Sequence, residues 1–134
     1  MYIRNVTLCL RDTDATGVLY FTEQLRMAQQ TIEIFLKEHG FELKNLFSHK
    51  FFIPIVHADA DYFLPLYVGD DLQVRMSLLE KGTTSFQMEY SFYKGDALAG
   101  KVRIVHVVVN AQSRKKMLIP EPLLGYLDKI GLAG

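Results

Sequence analysis

One cysteine, Cys9, is all the 134-residue chain contains. A lone thiol closes no intramolecular disulfide and suits a reducing compartment, so a cytoplasmic chain is expected. Cys9 lies among β-type residues, where a buried packing thiol is expected rather than a nucleophile. Excess charge is missing too. Fifteen Lys and Arg offset fifteen Asp and Glu, which excludes a global field that would draw the chain to nucleic acid or to an anionic membrane. No apolar run approaches the ~20 residues of a bilayer span, and Arg4 with no long apolar stretch behind it argues against a signal peptide. There is no Gly-x-Ser-x-Gly elbow, no phosphate-cradling glycine loop and no dinucleotide fingerprint. The four histidines, His39, His49, His57 and His106, lack metal-ligand spacing, so neither metal nor cofactor is expected. Without linker, repeat or low-complexity segment, residues 1–134 read as a single domain.

What is present is an ordinary globular composition, 49% apolar and 22% charged, organised around the stretch from Arg11 to Gly40. A polar loop, 11–20, leads into an unbroken helical pattern over 21–39. At 100° per residue, Phe21, Leu25, Ala28, Ile32, Phe35 and His39 form one stripe, with Met27 and Ile34 well round from it. Thr22, Glu23, Arg26, Gln30, Glu33 and Lys37 make the polar face. So wide an apolar surface predicts a helix wrapped by a sheet, and Gly40 is a fitting stop.

The remainder reads as strands. Tyr2 to Leu10 has β-formers. Residues 40–50 are a connection whose apolar residues Phe41, Leu43, Leu46 and Phe47 either close the helix end or line a ligand entrance. From Phe51 the period becomes two, with Phe52, Val56, Ala58, Ala60, Tyr62 and Leu64 on one face and His57, Asp59 and Asp61 on the other. That polar row predicts an ion-paired ladder with Arg75, Lys101 and Arg103. Leu72, Val74, Met76 and Leu78 alternate cleanly, as do Phe86, Met88, Tyr90 and Phe92, with turns at Lys81-Gly82 and Lys94-Gly95-Asp96. Leu98 to Val109 is apolar on both faces near its end, as in a central strand. Val105, Val107 and Val109 would then form an exposed row needing cover. His106 reads as a core residue. Ser113 to Lys116 is a basic turn, and Pro120 and Pro122 open a short helix, 121–130. One strand, a long helix and four further strands on tight turns give an α+β fold, an antiparallel sheet of about five strands around one helix.

Chemistry concentrates in the loop before the helix. Asp12 and Asp14 precede Gly17, and the first amides of the helix, around Val18 to Phe21, have no partners inside it. Such amides suit a negative charge developing on an oxygen. A carboxylate beside them makes a hydrolytic pair, while the structural alternative is that Asp12 or Asp14 merely caps a turn.

The run Asp12-Thr13-Asp14-Ala15-Thr16-Gly17-Val18-Leu19-Tyr20-Phe21 resembles the Asp-x-Asp-x-x-Gly-Val-Val-Tyr signature of hotdog-fold acyl-CoA thioesterases of the 4-hydroxybenzoyl-CoA type. Pro54-Ile55-Val56, Ala60-Asp61-Tyr62, Pro65, Gly69-Asp70-Asp71-Leu72 and Thr84-Ser85-Phe86 follow in matching order. The resemblance implies a hotdog fold and an acyl-CoA substrate. It implies Asp14 as nucleophile or general base, Gly17 beside the substrate, and the Phe21 amide as donor to the thioester oxygen. Tyr20 would line the acyl pocket, Thr84 and Ser85 would contact substrate, and coenzyme A would bind near the subunit interfaces of a homodimer or homotetramer. Phe21 stands where one branch has His. The Tyr-Phe pair is similar to 1,4-dihydroxy-2-naphthoyl-CoA thioesterases and implies an aromatic acyl group. A short- or medium-chain fatty acyl-CoA, or a non-catalytic acyl-CoA or acyl-carrier binding module, are the alternatives.

Overall fold

The computed structural model describes residues 1–41 and 50–131. Strands β1 (Tyr2–Thr7), β3 (Ile55–Tyr62), β4 (Asp71–Lys81), β5 (Ser85–Lys94) and β6 (Ala97–Val107) form one antiparallel sheet in the order β1-β4-β5-β6-β3. Helix α1 (Phe21–Glu38) lies in its concavity, and α2 (Glu121–Ile130) closes the chain. A two-stranded ribbon pairs β2 (Phe51–Phe52) with β7 (Val109–Asn110). The hotdog expectation holds: five strands curl around one long helix.

Alternation explains the core. Leu72, Val74, Met76 and Leu78 on β4, Phe86, Met88, Tyr90 and Phe92 on β5, and Val102, Ile104 and His106 on β6 are all buried. They meet Met27, Ala28, Ile32, Phe35 and Leu36 of α1. Each large apolar side chain so buried contributes about 1.5–3 kcal/mol, which makes this three-strand floor the main support of the helix. His106 stacks on Phe86 and its Nδ1 lies 3.0 Å from the Ile53 carbonyl. Burial lowers its pKa, as suits a neutral core histidine.

The helix is rotated from the stripe read off the sequence. Phe21 is 59% exposed and Leu25 and His39 are half-buried, whereas Gln24, Met27 and Thr31 face inward. Two polar residues enter because each finds a partner: Thr31 Oγ1 donates to the Met27 carbonyl at 2.7 Å, and Gln24 reaches strand carbonyls.

Other expectations give way at the strand ends. β1 stops at Thr7, and Leu8 turns into the core while Cys9 is exposed. The cysteine is therefore no packing thiol; its amide heads a 3-10 turn over Leu10–Asp12. The expected strand from Phe51 breaks at Ile53-Pro54, and a register shift between Ile55 and His57 leaves Val56 exposed. The row of Val56, Ala58, Tyr62 and Leu64 is exposed at the sheet edge, where β3 meets α1 near the end of the strand, through Gln24 at Asp61 and Tyr62 at Phe21. Nor is there an exposed valine row at the far end of β6. The chain leaves the sheet after Val107, Val107 and Val108 are buried, and Val109 joins the ribbon. The polar ladder does form: Arg103 Nη1 lies 3.3 Å from both Asp59 and Asp61, and its Nε lies 3.3 Å from Glu89. Lys101 joins through Glu89 at 3.7 Å. Arg75 stays apart, stacked over Tyr93 and bonded to Gln73. Of the apolar residues of the connection, only Phe41 is placed, and it is buried; Leu43, Leu46 and Phe47 lie outside the described residues. No helix among the described residues is long and apolar enough to cross a membrane.

Candidate active site

The segment 13–19 folds back on itself. A bridge joins Thr13 to Leu19, the Asp14 amide donates to the Val18 carbonyl at 2.8 Å, and the Gly17 amide returns to the Asp14 carbonyl at 3.1 Å. Gly17 has φ +80°, which a residue with a Cβ adopts only with strain. A Cβ there would meet nothing within 4 Å, so conformation rather than crowding demands the glycine. The loop is also stitched to residues 66–68: Leu19 N–H donates to Leu66 at 2.7 Å and Val68 N–H to Gly17 at 3.0 Å.

This turn points three donors at one oxygen of Asp14. Oδ1 accepts from the Thr16 hydroxyl at 2.6 Å, the Thr16 amide at 2.8 Å and the Val18 amide at 3.3 Å. The Thr16 hydroxyl, then the Thr16 amide, hold the carboxyl below the usual aspartate range against an opposing effect of desolvation, with a lesser contribution from the Val18 amide. The group is exposed, and Oδ2 has no hydrogen-bond partner among the described residues. Asp14 is thus an anchored, ionised carboxylate with one oxygen available.

Asp12 has the opposite surroundings. It is 4% exposed, accepts the Cys9 amide at 2.8 Å, and lies 3.3 Å from the Arg26 guanidinium. Its own carbonyl accepts the Tyr20 amide at 2.9 Å. These bonds tie the exit of β1 to the start of α1. Of the two carboxylates left open by the sequence, Asp12 is held in structural contacts, whereas Asp14 keeps one oxygen without a partner among the described residues.

Tyr20 is the residue before the first turn of α1, and the Phe21 and Thr22 amides have no acceptor among the described residues. Both aromatic side chains are exposed, with ring centroids 5.0 Å apart. The Tyr62 hydroxyl donates to the Phe21 carbonyl, linking the helix start to the end of β3. Beside it opens a cleft of about 340 Å³ lined by Val18, Phe21, Gln24, Tyr62, Phe63 and Pro65, among others. A larger groove of about 580 Å³ lies between β1, β4 and Tyr93, but it reaches neither Asp14 nor the helix start, so size alone does not locate the chemistry.

Asp14, Gly17, Tyr20 and Phe21 all lie on the one folded-back loop and the helix start it feeds. Thr84 and Ser85 are elsewhere. Ser85 pairs with Val107 at one end of β5, while the level of Gln24 is that of Gly100 and Phe92. Seven positions along the strand, from residue 85 to residue 92, correspond to roughly 23 Å, so one chain alone does not place them at Asp14. Three neighbours of the site were absent from the sequence reading of it: Thr16, Gln24 and Tyr62. Thr16 carries a readable signal, since an Asp side chain commonly accepts the backbone amide two residues on. Gln24 sits one turn before Ala28 on the same helix face, a polar residue among apolar ones. Tyr62 becomes a neighbour only through the path of β3.

A profile of the thioesterase-like superfamily matches residues 9–127. A 1,4-dihydroxy-2-naphthoyl-CoA hydrolase from Acaryochloris marina is 34% identical, over 99% of this chain and 98% of the relative. One of the same name from Rippkaea orientalis is 35% identical, over 90% and 91%. Among solved structures, a 1,4-dihydroxy-2-naphthoyl-CoA thioesterase from Synechocystis superposes with a TM-score of 0.86 at 28% identity, covering 95% of both chains. A gentisyl-coenzyme A thioesterase gives 0.81 at 25% identity, covering 94% of this chain and 99% of that one. With the fold, the loop before the helix and the full-length likeness in agreement, the chain belongs to the thioesterase-like superfamily of hotdog proteins.

Proposed function

We propose that this protein is an acyl-CoA thioesterase that hydrolyses an aromatic acyl-CoA, of the dihydroxynaphthoyl or hydroxybenzoyl kind, to the free acid and coenzyme A. The observation that carries the reading is the pairing of the Asp14 carboxylate, with one oxygen free, and unpartnered helix-start amides beside an aromatic-walled cleft. The thioester oxygen is received by the Phe21 amide, with Thr22 next to it, where charge develops as the carbonyl carbon becomes tetrahedral. Asp14 acts in one of two ways. As nucleophile its free oxygen bonds to the carbonyl carbon, the C–S bond breaks, coenzyme A leaves as thiolate, and water then cleaves the resulting anhydride. As general base it takes a proton from water, the hydroxide adds to the carbon, and collapse expels the thiolate, which recovers the proton. Tyr20 and Phe21 border the acyl group.

Residues 1–134 act as one domain, in the cytoplasm, as a homodimer or homotetramer. Support for assembly comes from β3, an edge strand that ends in exposed Tyr62 and is followed by exposed Phe63 and Leu64. Such an edge is stable in water when another chain covers it. A second subunit is also the route by which Thr84 and Ser85 reach substrate bound at Asp14. The test is release of free thiol from a panel of aromatic and straight-chain acyl-CoAs. Faster turnover of the aromatic esters is expected. Preference for straight chains would replace the substrate class, and binding without any thiol release would make the protein a non-catalytic module.

A further inference from the structure

The first turn of α1 begins without a side-chain cap. Tyr20 occupies the capping position, and its side chain bonds no helix amide. The turn is fixed by other means. On one side the Tyr20 amide donates to the Asp12 carbonyl at 2.9 Å. On the other the tether comes from the sheet: the hydroxyl of Tyr62, the last residue of β3, donates to the Phe21 carbonyl. A carbonyl has two lone pairs, so this bond adds to the one that the helix repeat supplies from Leu25. Partial burial raises the Tyr62 pKa above the ordinary tyrosine value, which keeps the hydroxyl protonated, and a donor, at neutral pH.

The Phe21 carbonyl and the Thr22 amide are the two ends of one peptide group. In a trans peptide the C=O and N–H point to opposite sides, and no peptide bond among the described residues is cis. Holding the oxygen therefore sets the direction of the Thr22 N–H at the open end of the helix. A hydrogen bond received at the oxygen also polarises the group and makes its N–H a stronger donor. We infer that Tyr62 is a positioning residue for hydrolysis: through the Phe21–Thr22 peptide it aims and polarises the Thr22 amide as a second donor, beside the Phe21 amide, to the thioester oxygen. The inference rests on the thioesterase reading and deepens it. The Tyr62 ring also walls the cleft, and the two roles separate by chemistry. The ring acts in binding, whereas the hydroxyl acts where negative charge develops on the oxygen, in the transition state.

The experiment compares wild type with Tyr62→Phe, which keeps the ring and removes the hydroxyl, in single-turnover hydrolysis of benzoyl-, 4-hydroxybenzoyl- and naphthoyl-CoA. The rate of the chemical step should fall about tenfold, less than the ~10²–10³ that loss of a whole oxyanion donor costs. The half-saturating substrate concentration should stay within roughly twofold. A second readout needs no turnover. In the Asp14→Asn background, isotope-edited infrared spectra should show the bound thioester carbonyl stretch below its value in water, and Tyr62→Phe should move it back toward that value. Should Tyr62→Phe fail to fold, fluorotyrosine at position 62 has nearly the same shape and a stronger donor, and should lower the stretch further. An unchanged chemical step, or a stretch that neither variant moves, overturns the inference and leaves Tyr62 a structural tie, whatever the melting temperature does. A loss carried by KM alone also overturns it, making the hydroxyl a binding contact. Wild-type protein that hydrolyses no aromatic thioester would overturn the functional reading and this inference with it, whereas unchanged chemistry in the variant removes this inference alone.

Discussion

Thr16 gives Asp14 two hydrogen bonds to the same carboxylate oxygen, from its hydroxyl at 2.6 Å and from its amide at 2.8 Å. The hydroxyl is the larger influence on the acid, and it acts on the ionised form. A group whose folded pKa is depressed loses its charge only as the pH falls through that lowered value. The acid limb of kcat/KM for the free enzyme should therefore lie below the ordinary aspartate pKa of about 3.9. Replacing Thr16 with Val removes one donor and keeps the amide. The limb should move to higher pH, with the plateau above it nearly unchanged. A pH–rate profile of the two proteins checks this, and an unmoved limb would separate Asp14 from the ionisation that controls rate.

The two carboxylates of the loop should fail in different ways. Asp14→Asn keeps the shape of an exposed side chain but can act neither as base nor as nucleophile. Hydrolysis should fall by at least ~10²-fold, with the melting temperature hardly changed. Asp12→Asn should do the reverse. It sets an amide against the Arg26 guanidinium in a buried site, a loss of about 1–3 kcal/mol of stability, with activity largely kept where the protein is folded. Thermal melts and thiol release on both variants test the pair. A catalytic collapse in Asp12→Asn at unchanged stability would mean that the roles are exchanged.

Assembly is expected to follow the β3 edge. Val56 is 59% exposed on that strand, and a charge there is a common device for keeping edges apart. Val56→Lys should shift the protein from dimer or tetramer toward monomer in sedimentation at micromolar concentration. Because Val56 lies outside the core, the monomer should remain folded by circular dichroism, and its activity should drop through loss of the second subunit's contribution. A wild-type protein that sediments as a well-folded monomer would remove the need for that contribution.

Much of this was readable before any coordinates. The β4 and β5 alternations placed Val74, Met76, Met88 and Tyr90 inward because a period of two is unambiguous where one face is dry. Asp14 and Gly17 stood out by motif, and the turn they form needs only local bonds. Helix rotation was harder. A polar residue inside, such as Gln24, defeats a reading by hydrophobicity, since its burial depends on carbonyls of Asp61 and Lys101 far away in sequence. Strand ends failed for the same reason. Cys9 and Val107 have β-type neighbours, yet one turns outward into a 3-10 turn and the other is covered within the chain. Local pattern predicts the middle of an element; its ends are decided by what it meets.

The size of the acyl pocket should depend on Phe21. Its side chain is exposed at the first turn of α1 and lines the cleft, while its backbone carries the amide proposed to receive the thioester oxygen and the carbonyl that Tyr62 bonds. Alanine at this position keeps both backbone groups and is at least as good a helix former, so folding and the oxyanion contact should survive. What is lost is a ring, and with it a flat wall that favours another ring over a flexible chain whose rotors cost entropy to fix. In Phe21→Ala, the ratio of kcat/KM for benzoyl- or naphthoyl-CoA to that for straight-chain acyl-CoAs should fall by about tenfold. One displaced aromatic contact is worth roughly 0.5–1.5 kcal/mol beyond area burial, and the opened space admits longer chains. Activity on the best new substrate should stay close to the wild-type level. Ratios that do not change across the series would put the acyl group somewhere other than the cleft beside Phe21 and Tyr62.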